Sequence, residues 1–368
     1  MKRILVIFTG GTIGSKAEGK SINVHDSGSY ALLEAYRNTD EVRKDVELST
    51  LEPLNLLSEN LTTEDWRTLA VAIRNADPGS YDGLIVTHGS DTLAYSAAMF
   101  SYLFAGVGVP IVFTASNYPI ADRRANGLRN LAGAIDFVVE EALPGVFAVY
   151  ENDRGEMLVY LGTRLAQCES FTDQFRSPYD LPYGVMEKRR FVWRDDARNP
   201  KPNRLSGGLK AALSAPLPWE PENLSLDDSV LYIRPYPGLN YSLYDWSGRK
   251  PSAILHDLHH SGTATALSSG PYSLPAFIER CKTHGIDVYM SPLKDASAAL
   301  YASSHALIEA GGVFLEGIGM EAALTKLIAV YGLASNAEQA RTWMTEATFA
   351  HEKMGSGIDS EGAGTNEN

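Results

Sequence analysis

At 368 residues the chain is too long for one ordinary hydrophobic core, and its length argues for two domains. Its 44% hydrophobic and 21% charged residues are those of a globular protein, and 45 acidic against 32 basic side chains give a net charge of −13, which argues against a nucleic-acid partner. No apolar run is long enough for a spanning helix, so no membrane partner is expected, and the first residues run into a strand rather than a leader. Two cysteines at no paired spacing, Cys168 and Cys281, suit a reducing compartment and offer no thiolate metal site, so a cytoplasmic protein is expected.

The chain opens on Arg3-Ile-Leu-Val-Ile-Phe8, an unbroken apolar run that predicts a strand buried on both faces, followed by Thr9-Gly10-Gly11-Thr12-Ile13-Gly14. Paired glycines let the backbone turn sharply and keep side chains away from whatever docks there. Thr12 then stands at the carboxyl end of a strand, where open α/β sheets place their ligands. Its hydroxyl is a candidate nucleophile if a neighbour takes its proton, and a strand-exit cap if none does. Ser15 to Ser29 is polar without an apolar period, which predicts a long loop and a candidate lid. Within it Gly14-Ser-Lys-Ala-Glu-Gly19-Lys20-Ser21 has phosphate-loop spacing. The strand ends well before Gly14, however, and Asn23, Asp26, Ser27 and Gly28 stand where a helix should begin, so nucleotide binding is not expected.

Tyr30 to Tyr36 predicts a short helix and Val46 to Leu51 a strand. Thr62 or Thr63 caps a helix whose apolar positions are Trp66, Leu69, Ala70 and Ile73. Ser58 and Glu59 therefore sit on a strand-to-helix loop, as ordinary capping and solvating residues or as ligand contacts. A second buried strand, Tyr81 to Thr87, exits into His88-Gly89-Ser90-Asp91-Thr92 ahead of a helix from Leu93 to about Phe104. Helix-start amides at such a turn can hold a carboxylate or a developing oxyanion. Val109 to Ala115 predicts another strand, and Asp122-Arg123-Arg124 precedes a helix through Leu131 and Phe137. Val146 to Tyr150 and Met157 to Leu161 predict a hairpin across Asp153-Arg154-Gly155.

The texture changes from Glu187 to Ser229, where charged runs such as Lys188-Arg-Arg190 mix with prolines, as in a connecting segment with a few exposed strands. A second α/β unit follows, with strands at Val230 to Pro235, from Ala253 and at Ile286 to Met290. Helices are expected at Ser273 to Lys282, from about Ala298, at Met320 to Tyr331 and over 336–350. The expected organisation is an N-terminal α/β catalytic domain over 1–186, a connecting segment over 187–229, a C-terminal α/β domain over 230–350 and a disordered tail over 351–368.

Two stretches about eighty residues apart, Thr9-Gly-Gly-Thr-Ile13 and Thr87-His-Gly-Ser-Asp-Thr92, resemble the two signatures of the bacterial-type L-asparaginases. Leu57-Ser-Glu-Asn-Leu-Thr-Thr-Glu-Asp-Trp66 is similar to that family's patch between them, and Met320-Glu-Ala-Ala-Leu-Thr-Lys326 to its C-terminal helix, especially in the cytoplasmic type I branch. The resemblance covers roughly residues 1 to 335. It implies an α/β fold with a larger N-terminal parallel-sheet domain and a smaller C-terminal one. It also implies hydrolysis of a side-chain amide, such as that of asparagine, to carboxylate and ammonia through an acyl-enzyme, without metal or cofactor. By position, Thr12 is the nucleophile, Ser58 grips the substrate's α-carboxylate and Asp91 its α-amino group. Gly11, Glu59 and Gly89 complete the substrate contacts, and Ser90 replaces the family's second catalytic threonine. A homodimer or homotetramer is implied as well.

The sequence departs from the family at several of these places. The catalytic lysine's position falls on Gln167 within Leu161-Gly-Thr-Arg-Leu-Ala-Gln-Cys168, and glutamine takes no proton near neutral pH. The lid tyrosine's place holds Lys20 and Ser21, and Glu59 stands where many members carry glutamine. Three readings follow: an asparaginase with Lys16 or Lys20 as base, an amide or lactam hydrolase of altered substrate, and a non-catalytic amino-acid sensor. The related archaeal tRNA-dependent amidotransferase is set aside because its similar chain carries a further N-terminal domain. His88 is expected to be structural, and His256, His259 and His260 lack the spacing of a metal site.

Overall fold

The computed structural model describes residues 1–355 except 12, 14, 19–20, 25–27, 207–215 and 295–299, with backbone alone at 15–18, 21–24 and 28–30. The opening apolar run forms β1 (Lys2–Phe8), buried from Ile4 onward. Beyond it the chain makes an antiparallel ribbon of β2 (Ser15–Glu18) and β3 (Ser21–Val24), with Ser15 opposite Val24. The stretch expected to be a loop is therefore a hairpin. Ribbon pairing rests on backbone hydrogen bonds, so no apolar period announces it. A strand also stands where a phosphate loop would open its helix, although Gly14, Gly19 and Lys20 lie outside the described residues.

After α1 (Gly28–Arg37) and β4 (Val46–Leu51), α2 (Thr63–Asn75) starts at a capping box in which Thr62 N–H donates to Asp65 Oδ2 at 2.8 Å. Its buried face is Trp66, Leu69, Ala70 and Ile73, as its period requires. β5 (Gly83–Thr87), α3 (Leu93–Leu103), β6 (Pro110–Thr114) and α4 (Gly127–Glu141) alternate next. The hairpin of β7 (Gly145–Glu151) and β8 (Met157–Leu161) follows, then β9 (Gly184–Glu187), β10 (Arg190–Trp193) and the short α5 (Pro202–Leu205). The second unit runs β11 (Leu231–Ile233), β12 (Ala253–Asp257), α6 (Leu274–Thr283), β13 (Asp287–Leu293), α7 (Ala302–Glu309), β14 (Val313–Glu316), α8 (Met320–Leu333) and α9 (Ala337–Thr345).

The large sheet has eight strands in the order β10-β9-β8-β7-β6-β5-β1-β4, and the small one four in the order β11-β12-β13-β14. From β7 to β4 the large sheet is parallel, with Phe8 beside Thr87 and Thr87 beside Thr114, so successive strands end level. From β7 to β10 it is antiparallel, which makes it mixed rather than the expected parallel sheet. The cause is the β7–β8 hairpin, which reverses direction and lets β9 and β10 add beyond it. Arg190–Trp193, within the connecting segment where a few exposed strands are expected, is the edge strand. Its turn holds Lys188 and Arg189 at φ of 49° and 68°, and two 2.9 Å bonds from the Arg189 guanidinium to Asp136 of α4 fasten it. β14, unexpected from sequence, is only four residues long.

One apolar core joins the two units. It takes in Leu69 and Phe100 from the large-sheet side, Leu255 and Tyr289 from the small sheet, and Leu327 and Val330 from α8 between them. The last helix ends at Thr345, short of the expected 350. Residues 351–354, expected to open a disordered tail, are instead fastened. Arg164 donates to His351 O at 2.8 Å and Lys353 O at 3.1 Å, and Met354 N–H donates to Gly317 O at 2.9 Å. Glu352 is buried against Lys326 at 2.6 Å. A buried ion pair and satisfied backbone groups fix a segment whose composition alone reads as loose. Residues 356–368 lie outside the described residues.

Candidate active site

Level strand ends bring three loops together. At the end of β1, Thr9 Oγ1 donates to Thr87 O at 3.0 Å, which ties the exits of β1 and β5. Gly10 and Gly11 then take φ of +95° and +75°, a region that favours glycine. Gly11 N–H donates to Leu56 O at 2.9 Å, and Leu56 N–H to Thr9 O at 3.1 Å, which lays the segment before Ser58 along the turn. A Cβ on Gly11 would come within 2.5 Å of Gly89 N, and one on Gly89 would collide with the Ser58 side chain. Gly11, Ser58 and Gly89 are therefore in mutual packing range through the absence of two methyl groups. Thr92 Oγ1 closes the third side by donating to Ser58 O at 3.0 Å.

A buried polar chain sets the plane of the second turn. Trp66 Nε1–H donates to Ser96 Oγ at 2.8 Å, Ser96 Oγ lies 2.9 Å from His88 Nε2, and His88 Nδ1 lies 2.9 Å from Gly89 O. A carbonyl oxygen only accepts, so Nδ1 carries the proton and Nε2 accepts from Ser96. Burial pushes the His88 imidazole down to about 4, which keeps it neutral. Its expected structural part thus has a mechanism: it fixes the Gly89–Ser90 peptide. A trans peptide is planar with C=O and N–H opposed, so the Ser90 N–H faces away from His88.

Ser90 is half-buried, while Glu59 and Asp91 are exposed. The Asp91 carboxyl is nonetheless partly shielded from water by the surrounding loops, and this desolvation raises it above its ordinary value, with the charge of Glu59 adding to the rise. Gln167 is exposed on the loop after β8; its Oε1 accepts from the Tyr95 hydroxyl at 3.4 Å and its backbone N–H donates to Glu321 Oε1 at 2.7 Å. Burial pushes the neighbouring Cys168 thiol up to about 12, with Asp173, Asp91 and Glu169 adding to it, so this loop lies within the field of Asp91. Thr12 and Lys20 lie outside the described residues. The seats on either side of Thr12 are described: Gly11 against Gly89, and a fully buried Ile13.

The structure thus gathers Gly11, Ser58, Glu59, Gly89, Ser90 and Asp91, while Gln167 meets Tyr95, four residues beyond Asp91. Sequence reading missed Thr92, Tyr95 and Glu321. Thr92 stands at the end of the second signature, whereas the other two carry no local signal. The second-domain histidines do not converge. His256 is buried, donates from Nδ1 to Asp257 O at 2.6 Å and accepts the Tyr241 hydroxyl at Nε2, while His259 and His260 face outward. Among the described residues, no group of three or more His, Cys, Asp or Glu side chains gathers as a metal site would need. No described helix is long and apolar enough to cross a membrane.

Residues 3–198 match the family model described as Asparaginase, N-terminal. The L-asparaginase of Thermococcus kodakarensis is 28% identical over 96% of this chain and 100% of its own length. A chain of the glutamyl-tRNA(Gln) amidotransferase of Pyrococcus abyssi is 26% identical over 94% of this chain and 75% of that protein. The solved thermostable L-asparaginase of Thermococcus kodakarensis superposes with a TM-score of 0.76 at 25% identity, covering 96% of this chain and all of that one. The chain belongs to the asparaginase family and is a hydrolase of amide carbon–nitrogen bonds.

Proposed function

We propose that the chain hydrolyses the side-chain amide of a small amino acid of the asparagine type, with Thr12 as nucleophile. The observation that supports this reading most directly is the packing of Gly11 on Gly89 and of Gly89 on Ser58, which brings the three loops to one place. In the reaction, Thr12 Oγ adds to the amide carbon, the carbon–nitrogen bond breaks and ammonia leaves with the proton delivered to it. Water then attacks the ester, and the carboxylate product departs as the Thr12 hydroxyl reforms. Ser58 and Asp91 hold the α-carboxylate and α-ammonium. The Ser90 N–H, turned away from His88, is a donor for the oxyanion. Gln167 cannot serve as base, so we assign that task to a lysine of the Ser15 to Ser29 stretch, Lys16 or Lys20, whose burial under a closed lid would favour its neutral form.

One observation favours a second reading, an amide other than asparagine. Glu59 adds negative charge beside Asp91, which suits a substrate with more positive charge at that end. We place the protein in the cytoplasm, as a homodimer or homotetramer. The test measures ammonia from asparagine, glutamine and a panel of small amides, with Thr12→Ala alongside. Release from asparagine that vanishes in the variant is the expected result. Release confined to another amide selects the second reading, and release unchanged by Thr12→Ala overturns the nucleophile.

A further inference from the structure

The loop after β8 is held from outside its own sheet. Its first residues are gripped through Arg164, which is buried and donates to Arg198 O at 2.7 Å and to the backbone of 351 and 353. Its far end is held by a carboxylate. Glu321, in the first turn of α8 and 7% exposed, accepts the Gln167 N–H at 2.7 Å across 154 positions of sequence. α8 also packs on α3, where the Tyr102 hydroxyl donates to Ala322 O at 3.1 Å. The first turn of α3 carries Tyr95, four residues beyond Asp91, and the Tyr95 hydroxyl meets the Gln167 side chain. Gln167 is thus pinned at its backbone by α8 and at its side chain by the helix that follows the Ser90–Asp91 turn.

A carboxylate is a costly choice for this task. A carbonyl or a neutral amide would satisfy a backbone N–H without burying a charge. What the charge adds is a shorter bond, about twice as strong as a neutral one, which suits a contact that must stay fixed. The pinned loop reaches the helix behind the Ser90–Asp91 turn through the Tyr95 hydroxyl, 3.4 Å from Gln167 Oε1.

We infer that Glu321 is a positioning residue for amide cleavage: through Gln167 and Tyr95 it braces the start of α3, the helix that follows the Ser90–Asp91 turn, so that the second unit's helix supports the first unit's site. The inference rests on the proposed reading insofar as the Ser90–Asp91 turn is taken to bind the substrate.

The test uses the full chain with Glu321→Ala and Glu321→Gln, the second of which keeps an acceptor of the same reach. Hydrogen exchange resolved to single residues should show the Gln167 amide exchanging about tenfold faster or more in Glu321→Ala, and at a rate between that and the wild type in Glu321→Gln. On whichever amide the wild type cleaves, kcat should fall about tenfold in Glu321→Ala with KM changed less than about threefold, and Glu321→Gln should recover part of it. Unchanged Gln167 exchange, or a lowered Tm with kcat intact, overturns the inference. Should the wild type cleave none of the amides, the functional reading fails by itself, and the exchange measurement alone decides for or against Glu321.

Discussion

Gly11 and Gly89 meet backbone to backbone: a Cβ on the first would stand 2.5 Å from the amide nitrogen of the second, and Gly11 holds φ of +75°. Strain and collision act together there. Gly11→Ala should cost roughly 3 kcal/mol of stability, read by urea unfolding, and should remove ammonia release even below the transition, because the two turns can no longer touch.

The pH dependence of turnover should report Asp91. Its carboxyl must be ionised to hold an ammonium group, and its pKa lies above the ordinary carboxylate value, chiefly through burial and further through Glu59. The acid limb of kcat/KM for an amino-acid amide should therefore lie at higher pH than a free aspartate would give. Glu59→Gln removes the like charge and should move that limb to lower pH, without returning it fully, because burial persists.

Stability should also fall with acid, through His88. Its folded pKa of about 4 lies below the ordinary 6.5, so the unfolded chain binds the extra proton between those values. Stability is fully present above pH 6.5 and is lost as pH falls toward 4, by roughly 3 kcal/mol from this residue. Urea titrations across that window should show a shallower slope in His88→Phe than in the wild type. That variant starts less stable, since Gly89 O and Ser96 lose their partner.

Lys326 and Glu352 form an ion pair with no exposed side-chain surface on either partner, at 2.6 Å, and the lysine also donates to Ala347 O at 2.8 Å. Lys326→Met should cost about 3–5 kcal/mol because it strands a buried carboxylate. Adding Glu352→Leu should recover part of that loss, which a double-mutant cycle by thermal or urea unfolding would measure.

What the sequence showed depended on how local each cause is. The strand of Ile4 to Phe8, the Thr62 cap and the inward face of Trp66, Leu69, Ala70 and Ile73 are written in neighbouring residues, and all are found. The meeting of the Gly11, Ser58 and Gly89 loops followed from the family resemblance rather than from any period. The ribbon of β2 and β3 left no apolar trace, and β14 is too short to carry one. Glu321 looked like one more residue of a helix start. Its partner is 154 residues away, and only the packing of α8 across both sheets shows what its carboxylate touches.

The grip of Arg164 on residues 351 and 353 sets a condition on how the protein comes into being. A ribosome that has released only the segment matching the family model, 3–198, has made every signature residue. The guanidinium beneath the site loop still lacks two of its acceptors at that moment. Synthesis must run past Lys353 before that loop gains its last supports, so a fragment ending at the family boundary should be a scaffold without a finished catalyst.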